Sequence, residues 1–247
     1  MKVIALIPAR LGATRFPAKL LAPLNGKSVI RRTYESVLST GLFDAVIVVT
    51  DCDEILNEII NHGGTAVKSK REYQSGTDRI AEVAAELNAD IFVNVQGDEP
   101  FVQKEPLEQL LDLFIGTDGD KIQVASLVQQ LTDPGLIKDP NYVKVALDLT
   151  NNALFFSRSI IPYPRDMTID IPLYEHIGVY AFRKEALLNF TNWPVTPLEA
   201  AEKIECLRFL EHGVSIRMAI TKYMGVEIDT PADIIRAEEL MEKMGLV

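Results

Sequence analysis

The sequence predicts an α/β fold: a doubly wound, mostly parallel sheet with a smaller mixed β lobe. Three observations carry this. The apolar runs at residues 3–7, 45–50, 65–67 and 91–95 are continuous and not alternating, as expected of strands buried on both faces. The segments 28–38, 53–60 and 78–87 between them place apolar side chains three and four residues apart, the helical repeat. After about Asp118 the rhythm changes to longer β-like stretches joined through Asp139-Pro140 and Ile161-Pro-Tyr-Pro164.

Taken in order, the first strand at 3–7 runs into a loop holding Pro8, Arg10, Arg15, Pro17 and Lys19, with three cations where a parallel strand ends. Ser28 is the expected N-cap of the helix over 28–38, and Thr77 that of the helix over 78–87. The strand at 91–95 leads into Gln96-Gly-Asp98-Glu-Pro100. The second half predicts strands at 123–128, 143–147, 153–157 and 176–182, then one helix over 198–212 ended by Gly213. A strand at 215–220 and a last helix opening at Thr230-Pro231 complete the chain. The expected organisation is one domain over 1–247, with a substrate or dimerisation lobe at approximately 123–190.

Composition narrows the function class. With 47% hydrophobic residues the chain can bury a sizeable core. A formal charge of −10 opposes non-specific binding to nucleic acid, which needs Lys and Arg spread over a broad surface. Cys52 and Cys206 have no metal-ligand spacing and suggest no disulfide framework, which fits a reducing cytoplasm. No apolar run approaches the roughly 20 residues that span a bilayer, so the expectation is a soluble, cytoplasmic protein without a membrane partner.

Against that acidic background the cations Arg10, Arg15 and Lys19 stand out. Ligands of open α/β sheets sit beyond the carboxyl ends of strands, and such a cluster suits the oxygens of a polyphosphate. Asp98 is expected at the same sheet edge. A carboxylate beside a phosphate loop is a natural Mg²⁺ ligand, and Val226-Glu-Ile-Asp229 offers a second acid. The same residues also fit plainer roles, Asp98 closing a turn and Asp229 preceding an N-cap. Ser75-Gly76-Thr77-Asp78-Arg79 combines a glycine turn, hydroxyls and open backbone amides at a helix start, suited to a base edge or phosphate, or simply to capping. His176 is either a ligand-facing donor or a satisfied strand histidine, and helix-end dipoles account for His62 and His212.

The strings IPAR…TRFPAK, QSGTDR, NVQGDEP, NYVKVALD, ALFFSRSIIP, HIGVYAFR, TPLEAAEKIECLR and VEIDTPAD span essentially the whole chain. In order and approximate spacing they resemble the 3-deoxy-D-manno-octulosonate cytidylyltransferase (CMP-Kdo synthetase) family. The resemblance implies a Rossmann-like sheet of the nucleotide-diphospho-sugar transferase type and a homodimer. It implies transfer of CMP from CTP to the anomeric hydroxyl of the acid sugar Kdo, releasing pyrophosphate, for lipopolysaccharide biosynthesis. Nucleotide-binding positions would be Ala9, Arg10, Arg15, Lys19, Ser75, Gly76, Arg79 and Gln96. Asp98 and Asp229 would hold Mg²⁺, with Arg15 and Lys19 countering leaving-group charge, so these four form the catalytic set. Arg158, Arg165, His176, Tyr180 and Glu205 would bind the sugar. Alternatives of the same chemistry are an 8-amino-Kdo or sialic-acid-type acceptor, and a non-catalytic nucleotide-binding subunit is a further one.

Three positions depart from the family's usual pattern. Ala13 stands where Ser is common, Ala18 where Gly is usual, and Cys206 where Gln follows the Glu. Cys206 replaces an amide with a weak thiol donor, so it either marks a related sugar or fills the core.

Overall fold

The computed structural model describes residues 1–245 apart from 13, 14, 74, 167, 223 and 224, and it forms two compact units. The first joins Met1–Lys104 to the returning segment Met224–Val247; the second is Glu105–Tyr223.

In the first unit, β1 (Val3–Ala9) is buried along its full length, as its unbroken apolar sequence requires. A short hairpin of β2 (Pro23–Leu24) and β3 (Lys27–Ser28) leads to α1 (Val29–Ser39). The Ser28 side chain accepts from the Arg31 N–H, the expected N-cap. Next come β4 (Ala45–Thr50), α2 (Asp53–Asn61), β5 (Ala66–Lys68), α3 (Gly76–Glu86) and β6 (Ile91–Asn94). All pairings among the long strands here are parallel, in the order β6-β1-β4-β5. The register Ala9 to Thr50 sets Arg10 and Asp51 side by side at the carboxyl edge.

The cap of α3 is Ser75, whose Oγ accepts from Asp78 N at 3.0 Å; the expected cap, Thr77, is buried inside the first turn. The second unit opens within α4 (Lys104–Asp112), a helix with no sequence expectation behind it. It continues through β7 (Val124–Leu131), α5 (Pro134–Lys138), β8 (Lys144–Leu147), β9 (Ala153–Ser157), β10 (Leu173–Arg183), α6 (Lys184–Asn192), α7 (Pro197–Glu202), α8 (Leu207–Glu211) and β11 (Ile216–Thr221). Its sheet is mixed: β11 lies parallel to β7, while β7 with β10, β10 with β8 and β8 with β9 are antiparallel. The segment 123–190 falls inside this unit.

One expected helix is two. Lys203 takes a left-handed conformation (φ 56°), which ends α7, and Glu205 and Cys206 form a turn before α8. Buried Ile204, Cys206 and Leu207 follow that break, so core packing overrides the helical spacing of 198–212. The Arg208 guanidinium pairs with the Glu199 carboxylate at 2.7 and 2.5 Å, clamping the two pieces together. The returning segment adds α9 (Pro231–Met244), capped by Thr230 with Pro231 at its first position as the sequence predicts.

Candidate active site

The candidate residues fall into two groups, one in each unit. In the first, Gly76 and Gly97 are required by close approach to β1. A Cβ on Gly76 would lie 3.1 Å from Pro8 Cγ, and one on Gly97 would lie 3.0 Å from the Pro8 carbonyl oxygen. Two loops therefore close on one proline at the end of β1. Thr33 Oγ1 donates to the Gly97 carbonyl at 2.8 Å and fixes the loop that carries Asp98. Gln96 Nε2 donates to Asn94 Oδ1 at 3.4 Å, holding the Gln96 side chain near Gly76.

Buried Arg79 donates to the Ala9 carbonyl and grips Asp51 with both guanidinium nitrogens, at 2.8 and 3.2 Å. It thus braces the start of the basic loop. Arg10 is exposed and lines a hollow of about 470 Å³ with Asp51, Asp53, Glu54 and Glu72. At the loop's exit Ala18 is left-handed (φ 55°), the conformation that favours glycine, and it turns the chain into Lys19. Ala13 and Gln74 lie outside the described residues.

Lys19 is the centre of the first group. Its Nζ donates to Asp98 Oδ2 at 2.5 Å and to Asp229 Oδ1 at 2.9 Å, while Arg15 reaches Asp229 Oδ2 at 2.8 Å. Burial pulls the Lys19 pKa down, but Asp98 and then Asp229 more than offset it, and the net direction is up. The Ile228 N–H donates to the Asp98 carbonyl at 3.0 Å, tying the returning segment to the Asp98 loop. Asp233 accepts from the N–H groups of Asp229 and Thr230, which aims Asp229.

Sequence reasoning overlooked Glu227. One oxygen each from Asp98, Glu227 and Asp229 lies within 4.8 Å of the others. Glu227 is exposed as a residue, yet its carboxyl is crowded out of water and beset by Asp98, Glu99 and Asp229, which together push it up to about 8. The signal was present: in extended chain, Glu227 and Asp229 share a face while Ile228 turns into the core. An all-oxygen, multiply anionic donor set is what a hard divalent cation such as Mg²⁺ takes, so these residues fit it.

In the second unit, a bulge in β10 between Ile177 and Tyr180 sets His176 and Tyr180 against one another, ring centroids 5.1 Å apart. Phe156 packs edge-on to His176 at 5.1 Å, and Ser126 Oγ lies 3.0 Å from His176 Nε2. Exclusion of water holds the His176 pKa down at about 3, so the ring is neutral. Tyr180 and the buried Cys206 thiol are close neighbours. Burial raises the pKa of both, and the Glu205 charge adds to each shift. His176, Tyr180 and Cys206 therefore form one neutral cluster, with the charged Glu205 beside Tyr180 and Cys206.

The two sugar-site arginines lie apart from this cluster in character. Arg158 donates to three backbone carbonyls, those of Glu202, Pro140 and Lys203, and so brackets the turn that carries Glu205. Arg165 is exposed on the connection before β10.

A family model described as cytidylyltransferase matches residues 4–216. The chain belongs to the cytidylyltransferase family. It is 53% identical to the 3-deoxy-manno-octulosonate cytidylyltransferase of Flavobacterium johnsoniae, over 98% of this chain and 99% of the relative. The 8-amino-3,8-dideoxy-manno-octulosonate cytidylyltransferase of Shewanella frigidimarina is 43% identical over 96% and 98%. Among solved structures, a CMP:2-keto-3-deoxy-manno-octonic acid synthetase complexed with CTP superposes with a TM-score of 0.92 at 34% identity, covering 99% of this chain and 100% of that one. The fold is therefore that of the synthetase, as its motifs led one to expect.

Proposed function

We propose that the chain transfers CMP from CTP to the anomeric hydroxyl of Kdo, releasing pyrophosphate and supplying CMP-Kdo for lipopolysaccharide biosynthesis. The observation that carries the reading is the Lys19-centred pairing of Asp98 and Asp229 beside the basic loop, in a chain so closely similar to enzymes named for this reaction. Kdo is favoured over its 8-amino relative because the match named for Kdo is 53% identical, against 43%.

In-line attack of the sugar oxygen on the α-phosphorus breaks the bond to pyrophosphate, so negative charge grows on the leaving oxygens. Arg15 and Lys19 are the cations held where that charge would be met, and Arg10 extends the set outward. The close packing of Gly76 and Gly97 on Pro8 holds the Ser75–Arg79 and Gln96–Asp98 segments at the end of β1, beside the start of the basic loop. Asp98, Asp229 and Glu227 would hold Mg²⁺, which when bound makes the attacking oxygen more nucleophilic and draws charge from the phosphate. In the second unit, neutral His176 and the Tyr180–Cys206 pair would hydrogen-bond sugar hydroxyls, while Glu205 bounds that pocket.

The reading includes a homodimer, supported by exposed apolar side chains at Leu149, Leu154, Tyr163 and Ile169 in the second unit. It also includes a cytoplasmic setting, consistent with two unpaired cysteines; among the described residues no helix is long and apolar enough to cross a membrane. The test is pyrophosphate release with Mg²⁺, each of the four nucleoside triphosphates, and Kdo, 8-amino-Kdo or N-acetylneuraminate. Turnover with CTP and Kdo is expected. Turnover with CTP and another sugar only would move the error to the sugar pocket, and none with any pair would overturn the reading.

A further inference from the structure

Ser126 lies fully buried on β7, opposite the bulge in β10, with three polar neighbours at its hydroxyl. The Val179 carbonyl is 2.8 Å away, the Ile177 carbonyl 3.2 Å and His176 Nε2 3.0 Å. A hydroxyl has one proton to give, and a carbonyl oxygen has none. If Ser126 donated to His176, both bulge carbonyls would face hydroxyl lone pairs in a buried place, which costs more than a lost bond. The proton therefore goes to a carbonyl, the shorter contact being Val179, and the Ser126 oxygen accepts from a protonated Nε2. In a neutral ring that leaves Nδ1 bare. Among the described residues nothing donates to Nδ1, and the edge-on contact with Phe156 fixes the plane of the ring.

We infer that Ser126 is a positioning residue that sets the tautomer of His176, leaving Nδ1 as the acceptor this ring offers to a hydroxyl of the acid sugar. The tautomer follows from the hydrogen-bond arrangement alone, whereas its use rests on the reading that His176 faces the sugar. Through His176, Ser126 acts on the sugar without touching it. A sugar carrying a donor at the matching position keeps a full hydrogen bond; one presenting only an acceptor there meets a lone pair.

Long-range ¹H–¹⁵N correlation of the ¹⁵N-labelled protein at neutral pH tests it, the His176 ring being assigned by its loss in His176→Gln. The expected spectrum shows a protonated Nε2 and an unprotonated Nδ1. Ser126→Ala should give mixed tautomers and raise the KM for the sugar about tenfold, with the KM for CTP unchanged. Ser126→Thr, which keeps the hydroxyl, should restore the wild-type spectrum and also guards against misfolding of the alanine variant. A wild-type ring protonated at Nδ1 would overturn the inference, and so would a tautomer change that leaves the sugar KM where it was. Absence of any turnover by the wild-type protein with CTP and an acid sugar would instead sink the proposed function, and the spectrum would still report on the tautomer.

Discussion

The two groups of candidate residues are built on opposite electrostatic plans. Around Lys19, charges are brought together: Asp98 and Asp229 grip one ammonium, Arg15 adds a second cation, and Glu227 is pushed up to about 8 by loss of water around its carboxyl and by its acidic neighbours. Around His176, charge is removed. Its pKa is held at about 3, and Tyr180 and Cys206 are moved further from ionisation, so the hydrogen bond of His176 with Ser126 is between neutral groups and Glu205 is the one charge at the edge of this group. On the proposed function, the contrast matches two tasks. Mutually balanced charges stabilise a phosphate transition state for any acceptor, whereas neutral donors and acceptors in fixed directions tell one sugar from another.

Substitutions should respect that division. Asp98→Asn, which keeps shape and removes charge, is expected to lower kcat for pyrophosphate release on the order of 10³-fold while the protein stays folded by circular dichroism. A loss below tenfold would mean the charged group is merely structural. Lys19→Met should cost about 10²-fold in kcat and leave the sugar KM near its original value; a change confined to the sugar KM would merge the two regions. Tyr180→Phe should do the reverse, raising the sugar KM roughly tenfold with kcat little altered.

The smallest effect concerns acid stability. The unfolded chain protonates His176 near its ordinary 6.5, the folded protein only near about 3. The neutral ring thus contributes stability above about pH 6.5 that is lost as pH falls towards 3. His176→Gln should lower the acid-unfolding midpoint by a few tenths of a pH unit, followed by tryptophan fluorescence. An unchanged or higher midpoint would show the ring to be less sheltered than its neighbours imply.

The charged region was the more legible one in the sequence. Residues 3–7 and 91–95 announce buried strands by continuous apolar runs, which is enough to assign Arg10 and Asp98 to one sheet edge. Thr230-Pro231 marks a helix start by local chemistry, which placed Asp229 just ahead of α9. What could not be read was pairing over distance. Arg79 belongs to a nucleotide-like motif, yet its guanidinium is taken up by Asp51, 28 positions earlier, and by Ala9. Arg158 likewise looked available for the sugar and is spent on three carbonyls. In the neutral region the spacing of 198–212 is helical throughout, and nothing in Lys203 announces a left-handed residue. The break is imposed by the burial of Ile204 and Cys206, a tertiary effect. Ala18, by contrast, sits at a left-handed position where its family usually has glycine, and there the family pattern itself held the clue.

Asp229 reaches Lys19 from the far end of the chain, on a segment that rejoins the first unit only after all of Glu105–Tyr223 has been made. Domains tend to fold in the order in which they are synthesised. On a ribosome, β1, β4 and β6 can pair and Lys19 can meet Asp98 long before its second carboxylate exists, so the half-built centre carries an ammonium with one partner. The same arrangement makes the carboxyl-terminal segment a proofreading mark: a chain cut short before Asp229 would keep its whole basic loop and still be unable to complete the centre.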